Sequence, residues 1–195
     1  RFNLTTVLYA ESDKDQNSAV VAVVKNSESF EFNSLKDLKG KTACFPEYGG
    51  IAWVSLVNAI VKQKDIEDTC DYSQALADLF SGACTPGIKD RDHSIVAAKE
   101  DIVERLCSIC PMEADNSTCS ANMNNTYYGD RGVLQCLSQG GHVGFVEPKN
   151  VGGHVREELL NPDNYRVLCR NGSLAVTTGF DVDQNCALSF TIDSE

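Results

Sequence analysis

The sequence lacks any apolar run near the length of about 18 residues that a membrane-spanning helix needs. It also has few cations, because 17 Lys and Arg residues stand against 28 Asp and Glu residues, for a formal net charge of −11. Nucleic-acid phosphates and anionic lipid surfaces are bound mainly through Lys and Arg. We therefore expect no nucleic-acid partner and no membrane insertion.

Histidine is scarce as well, and its spacing argues against catalysis. The three histidines, His93, His142 and His154, are not spaced as zinc-binding pairs are, and none has a defined partner that would make it a general base. The chain has no Gly-x-Ser-x-Gly elbow of the kind that presents a nucleophilic serine. We predict that the protein is not an enzyme.

Cysteine, in contrast, is abundant, with nine residues in the chain. Four glycosylation sequons, at Asn3, Asn116, Asn124 and Asn171, accompany them. Together these features predict a secreted, disulfide-bonded glycoprotein. The odd cysteine is either a free buried thiol or bonded outside the chain, and Cys107-Ser-Ile-Cys110 is the alternative of half a zinc site.

Hydrophobic patterning predicts alternating strands and helices. The apolar, β-branched run at 18–25 is typical of a strand buried on both faces, and 51–63 has the spacing of an amphipathic helix. The remaining patterns predict strands at 5–9, 41–45, 142–146, 165–169, 173–178 and 187–192, a helical turn at 34–40, and helices at 74–81, 98–106, 131–138 and 155–160. We expect an α/β domain with a mixed, mainly parallel sheet flanked by helices.

Residues 35–61 predict a strand that leads through a glycine-rich turn into a helix. The amino end of such a helix has free N–H groups beside the carboxyl end of the strand, where α/β sheets bind small anions. A packed strand–helix connection that binds no ligand explains the same pattern, and both interpretations stay open from spacing alone.

Six stretches, in this order along most of the chain, resemble the second domain of a transferrin lobe, the domain between the two hinge strands. They are 20–25 (VVAVVK), 38–44 (LKGKTAC), 79–84 (LFSGAC), 128–137 (YGDRGVLQCL), 141–146 (GHVGFV) and 165–169 (YRVLC). The resemblance implies a type II periplasmic-binding-protein-like domain over residues 1–195, with both hinge strands near its ends. The rest of the lobe would lie outside this chain and be its partner.

The same resemblance implies a disulfide map. It pairs Cys44 with Cys136, Cys84 with Cys110, Cys107 with Cys119, and Cys169 with Cys186. Cys70 would bond to a residue outside the chain, which accounts for the odd count. One cysteine of a further family bridge is absent around Pro86, which leaves the pairing of Cys107 and Cys119 the least defined.

Transferrin lobes hold Fe(III), a hard cation that prefers oxygen and imidazole ligands, together with a carbonate. Carried over by position, the two tyrosine ligands fall on Ser18 and Asp130, and the histidine ligand falls on Ser194. The anion-binding threonine and arginine fall on Pro46 and Gly50, with a slip of one residue allowed there. Tyr127 or Tyr128 would enter the cleft only after a register shift, which the matching Gly129, Gly132 and Cys136 disfavour.

We therefore expect a domain without iron, carbonate or another cofactor, kept as a structural or interaction lobe of an extracellular protein of serum or haemolymph. Invertebrate transferrins, melanotransferrin-like proteins and pacifastin-like proteins resemble it in having a degenerate lobe. A cleft kept for another small ligand or anion, and a protein-interaction or protease-inhibitor-associated subunit with a receptor or partner protein, are the alternatives. Glu47 either occupies the vacated anion pocket or only caps the helix from the surface.

Overall fold

The computed structural model describes residues 19–26, 34–62, 71–90, 99–149, 151, 153, 160–180 and 186–190. The predicted strand at 5–9 lies outside these residues, as does nearly all of the predicted helix at 155–160. The strands are β1 (Ala19–Lys25), β2 (Thr42–Cys44), β3 (Gly82–Cys84), β4 (Val143–Val146), β5 (Tyr165–Leu168) and β6 (Ser189–Phe190). The helices are α1 (Ile51–Lys62), α2 (Tyr72–Leu79), α3 (Glu100–Leu106) and α4 (Gly129–Ser138), with short 3-10 turns at Leu35–Leu38 and Pro162–Asn164.

β1 is the centre of the sheet, and its sequence explains why. The strand order is β3-β2-β4-β1-β5, and β6 also pairs with β1. Val20, Ala22 and Val24 pack into the core with α1, α2 and α3, whereas Val21 and Val23 pack into a second core with α4. Helices cover both faces of the sheet, so the side chains that β1 points to either face are apolar. The predicted α/β class, a mixed sheet flanked by helices, is confirmed.

The proportion of parallel pairing differs from our expectation. β2 pairs in parallel with β3 and β4, but β1 pairs antiparallel with β4, β5 and β6. Among the described strands, antiparallel pairings therefore outnumber parallel ones, and the expectation of a mainly parallel sheet was wrong. A strand covered on both faces has the same all-apolar pattern in either direction, so the pattern of β1 did not reveal its orientation.

The carboxyl-terminal strands are shorter than predicted. Within 173–178, pairing is limited to an isolated bridge between Leu174 and Leu168, so the predicted strand there was wrong. The side chain of Asn171 accepts hydrogen bonds from the N–H and Oγ of Ser173 and forms a turn at that point. Such local side-chain bonds compete with strand pairing.

Four disulfides connect the layers: Cys44–Cys136, Cys84–Cys110, Cys107–Cys119 and Cys169–Cys186. These are the four pairings that the resemblance implied. Since Cys107 and Cys110 both belong to disulfides, neither thiol is left to hold zinc, and the half-site interpretation was wrong. Cys70 lies outside the described residues.

His142, at the start of β4, links the strand to β2 through its ring. Its Nδ1 accepts a hydrogen bond from the backbone N–H of Thr42 at 3.2 Å and lies 2.6 Å from Thr42 Oγ1. An accepting Nδ1 requires the neutral ring with its single proton on Nε2. Burial, and then the charges of Lys41 and Lys25, lower the pKa of His142 below its ordinary value.

We expect this histidine to make the fold less stable in acid. Because the unfolded state binds the proton more readily, the stability that the neutral ring contributes is lost as the pH falls through about 6.5 towards the lower folded pKa. His142→Asn places an amide oxygen, also an acceptor, near the position of Nδ1, and the asparagine does not titrate. Urea unfolding at pH 7 and at pH 5 should show a smaller loss for the variant than for the wild type. An equal loss in both proteins would contradict this assignment.

In the part of the chain that the structure describes, no helix has the length and apolar character needed to cross a membrane.

Candidate functional site

The site turn, residues 45–50, joins the carboxyl end of β2 to the start of α1. The N–H of Phe45 donates to the carbonyl of Cys84 at 2.9 Å, and that of Tyr48 donates to the carbonyl of Pro86 at 2.8 Å. Gly49 has a φ of +69°, a left-handed conformation that favours glycine. α1 then begins, with the N–H of Val54 bonded to the carbonyl of Gly50 at 3.0 Å. The turn is thereby held at both ends.

Aromatic side chains fix this turn against the sheet. Phe45 stacks on Phe145 with ring centroids 4.8 Å apart, and its ring also lies 5.3 Å from that of Trp53 on α1. Tyr48 packs edge-on against Trp53, and its hydroxyl lies 3.2 Å from Ser73 Oγ on α2. Aromatic pairs at these distances stabilise packing beyond their buried area. They place the amino end of α1 at the edge of the sheet that is formed by the carboxyl ends of β2 and its parallel neighbours.

The start of α4 lies at the same edge. The N–H of Gly129 donates to the carbonyl of Pro46 at 3.0 Å, which joins α4 to the site turn. β2 and β4 are parallel neighbours, so their carboxyl ends meet at this edge. The structure therefore brings together Pro46, Glu47, Gly50 and Asp130, whereas Ser18 and Ser194 lie outside the described residues.

Glu47 folds back over Gly50. A Cβ atom placed on Gly50 would lie 2.6 Å from Glu47 Cγ and 2.7 Å from Glu47 Oε1, so the glutamate side chain takes the space where a side chain at position 50 would start. The residue is exposed to solvent, yet its carboxylate lies at the amino end of α1. A negative charge is favourable at that end of a helix. Occupation of the anion pocket and capping of the helix from the surface both stay predictions for Glu47.

Asp130 is bound to the end of the neighbouring strand. Its Oδ1 accepts a hydrogen bond from the backbone N–H of Glu147 at 3.4 Å, and Glu147 pairs with Lys149 at 3.3 Å. Sequence reasoning missed Glu147, although its place directly after an apolar strand at this edge was a usable signal. The site thus has the carboxylates of Glu47, Asp130 and Glu147. Among the residues that the structure describes, no three His, Cys, Asp or Glu side chains lie close enough together to hold a metal ion.

Tyr127 is not positioned as a replacement ligand. It is buried, and its hydroxyl donates to Gln139 Oε1 at 3.0 Å, at the far end of α4. Burial raises the pKa of Tyr127 above its ordinary value, which disfavours the phenolate that binds ferric iron. Tyr128 precedes α4 and is partly buried at its first turn. In the first turn of α4, the residue that lies next to Glu147 is Asp130 and not a tyrosine.

Comparison with known proteins shows which family this domain belongs to. A family model described as Transferrin matches residues 3–191, nearly the whole chain. The chain belongs to the transferrin family. This transferrin-family domain is similar to melanotransferrin of Oryctolagus cuniculus, at 32% identity over 86% of this chain and 23% of the relative.

Two further relatives are similar to this chain. Transferrin of Blaberus discoidalis is 31% identical over 90% of this chain and 26% of its own length. Otolith matrix protein 1 of Oncorhynchus mykiss is 28% identical over 80% of this chain and 44% of its own length. The chain spans about a quarter of the length of the first two relatives.

We expect the charge of Glu47 to stabilise α1. Glu47→Gln should lower the free energy of unfolding by about 0.5 kcal/mol at low ionic strength, and the difference should fade in high salt. Urea unfolding measures both values. Glu104→Gln, an exposed change in the last turn of α3, is the matched control and should cost nothing, since a negative charge there opposes the helix dipole. Equal effects of the two substitutions would contradict the proposed contact.

Proposed function

We propose that this chain is a non-enzymatic domain of an extracellular transferrin-family protein that does not bind Fe(III) and carbonate itself. It acts as a structural or interaction lobe within a family whose role is iron binding and transport. The observation that carries the proposal is the position of Glu47 over Gly50, at the helix end where the resemblance places a carbonate and its arginine.

The charge of the site turn supports this proposal. An arginine binds a carbonate through two parallel hydrogen bonds, and Gly50 has no side chain to do so. Glu47 instead contributes a carboxylate at the same helix end, which repels a second anion. Pro46 offers neither a hydroxyl nor a backbone N–H, and its carbonyl accepts from Gly129. The turn therefore favours its own carboxylate over an external carbonate.

The available donors support it as well. Fe(III) prefers several anionic oxygen or imidazole ligands. Asp130 offers one carboxylate, which also accepts a hydrogen bond from the backbone of Glu147. Tyr127 is hydrogen-bonded to Gln139, and its raised pKa opposes ionisation. One carboxylate does not replace two tyrosinates and a histidine.

A structural role is consistent with the features the chain has kept. Four disulfides and two hydrophobic cores hold the sheet and helices together. One relative is named an otolith matrix protein, which supports the idea that members of this family serve in a matrix. Disulfides of this number persist in oxidising compartments, which supports an extracellular location.

Iron content of the purified secreted protein tests the proposal. The protein is dialysed against ferric nitrilotriacetate with and without bicarbonate, and bound iron per chain is counted for the wild type and for Asp130→Ala. We expect the same count in both proteins, because this domain contributes no iron site. A bicarbonate-dependent loss of one iron per chain in the variant would overturn the proposal. The comparison between variants keeps the result independent of iron bound elsewhere in the protein.

A further inference from the structure

Two of the four disulfides meet beside β3, and we call them the disulfide pair. Cys84–Cys110 joins the carboxyl end of β3 to the segment after α3, and Cys107–Cys119 joins the residue directly after α3 to the loop that leads to α4. The Sγ atoms of Cys110 and Cys119, which belong to different disulfides, lie 3.4 Å apart. A sulfur of one disulfide is thus in contact with a sulfur of the other.

The four cysteines of the disulfide pair differ in their access to solvent. Cys84, Cys107 and Cys119 are buried, with exposed fractions of 1%, 6% and 0%. Cys110 is partly exposed. Because a disulfide is reduced by attack of a thiolate on one of its sulfurs, access decides which sulfur reacts first. An external thiol therefore reaches Cys110 first, and the sulfur that reaches Cys119 is that of Cys110.

Cys119 is held in an unusual backbone conformation. Its φ is +73°, in the left-handed region that residues other than glycine, asparagine and aspartate seldom adopt. Its carbonyl accepts a hydrogen bond from the N–H of Gly87 at 2.8 Å, and its Sγ lies 3.2 Å from the carbonyl oxygen of Thr85. The Cys107–Cys119 disulfide thus includes a residue with a strained backbone, and strained disulfides are the more labile ones.

The segment that carries Cys110 also covers an edge of the sheet. β3 is the end strand of the order β3-β2-β4-β1-β5. The N–H of Ile109 donates to the carbonyl of Ala83 in β3 at 3.3 Å, on the edge away from β2. A covered edge strand is protected from pairing with other chains. Cys84–Cys110 fastens this cover, and the carbonyl of Cys84 is hydrogen-bonded to Phe45 of the site turn.

We propose that the disulfide pair is a redox-sensitive switch operated by a dithiol reductant. A thiolate of the reductant attacks Cys110 Sγ, the bond to Cys84 breaks, and Cys84 leaves with the electron pair and takes up a proton. The second thiol of the reductant then attacks the mixed disulfide and releases Cys110 as a thiolate. The reductant becomes a disulfide, and the Cys84–Cys110 disulfide has accepted its two electrons.

The second step is an exchange within the protein. The Cys110 thiolate attacks Cys119 Sγ, the Cys110–Cys119 bond forms, and the Cys107–Cys119 bond breaks. Cys107 leaves with the electron pair and takes up a proton, so this step involves no net oxidation or reduction. No disulfide then joins residues 110–119 to β3 or to the end of α3. The cover of the β3 edge is loosened as a result.

Mapping of free thiols in the wild-type protein tests the exchange. The purified secreted protein is treated with a limiting amount of dithiothreitol, quenched with acid, denatured and alkylated, and untreated protein gives the background labelling. In chains that gain two labels, we expect one label at Cys84 and the second divided between Cys110 and Cys107. A second label at Cys110 alone, or labels at Cys107 and Cys119, would overturn the proposal.

A variant tests the second step without any reductant. Cys84→Ala leaves Cys110 without its disulfide partner, so its single additional label should again be divided between Cys110 and Cys107. Cys169→Ala is the matched control, because it frees Cys186 beside β5 at the other end of the sheet order. Its additional label should lie at Cys186, with Cys107 unlabelled. Label at Cys110 alone in Cys84→Ala, or equal labelling of Cys107 in both variants, would contradict the contact exchange.

Hydrogen–deuterium exchange tests the conformational effect. In the reduced and alkylated wild-type protein, the amide of Ile109 should exchange faster than in untreated protein, whereas the amides of β5 should keep their rates. Unchanged exchange at Ile109 would mean that the disulfide pair does not control the cover of β3. The iron counts do not depend on these measurements, so the switch and the proposed function are tested separately.

Discussion

Replacing Cys44 and Cys136 together with alanine is expected to lower the free energy of unfolding by about 4 kcal/mol. The disulfide closes a loop between residues 92 apart in sequence, and a cross-link over such a distance restricts the unfolded chain strongly. Both cysteines are buried, so their replacement also leaves unfilled space between β2 and α4. Urea unfolding under non-reducing conditions measures the loss.

The Cys169–Cys186 disulfide is the matched control. It spans 17 residues, and its two cysteines are slightly more exposed. The corresponding double alanine variant should lose about 3 kcal/mol, roughly 1 kcal/mol less than the first pair. If the longer bridge contributes less than the shorter one, loop closure is not the source of its stabilisation, and our account of the β2–α4 connection is wrong.

Gly132→Ala is expected to cost about 3 kcal/mol, although alanine is the better helix former. A Cβ on Gly132 would lie 2.1 Å from the carbonyl carbon and 2.4 Å from the carbonyl oxygen of Tyr127. These are backbone atoms, so a side-chain rotation does not relieve the clash. α4 would have to move away from Tyr127 and, with it, from the site turn. Thermal and urea unfolding measure the effect.

Gly153→Ala is the control for this substitution. Among the described residues, no atom lies within 4 Å of a Cβ at Gly153, and its φ is not in the left-handed range. Its effect should stay within about 0.5 kcal/mol. A Gly132→Ala protein as stable as this control would mean that α4 does not approach Tyr127 as closely as described.

Local patterns in the sequence predicted individual elements well. Helix α1 was predicted at 51–63 and found at Ile51–Lys62, and β1 was predicted at 18–25 and found at Ala19–Lys25. Both segments have long, regular apolar spacing. Strand direction was not predictable in the same way, because pairing with β4 and β5 depends on contacts between residues far apart in sequence.

The site was predictable as a set of positions but not as an arrangement. The resemblance placed Pro46, Gly50 and Asp130 in one site, and the structure brings them to one edge of the sheet. The direction of the Glu47 side chain depends on the absence of a Cβ at Gly50, which only the folded turn reveals. The burial of Tyr127 against Gln139 depends in the same way on the packing of α4.

The central claim is that this domain has lost the family's ferric site, and visible absorption tests it most directly. Ferric nitrilotriacetate is added with bicarbonate to the secreted wild-type protein and to a Tyr127→Phe/Tyr128→Phe variant. We expect identical spectra from the two proteins, because neither of these two phenolates reaches iron. A tyrosinate-to-iron charge-transfer band that the wild type shows and the variant loses would contradict it.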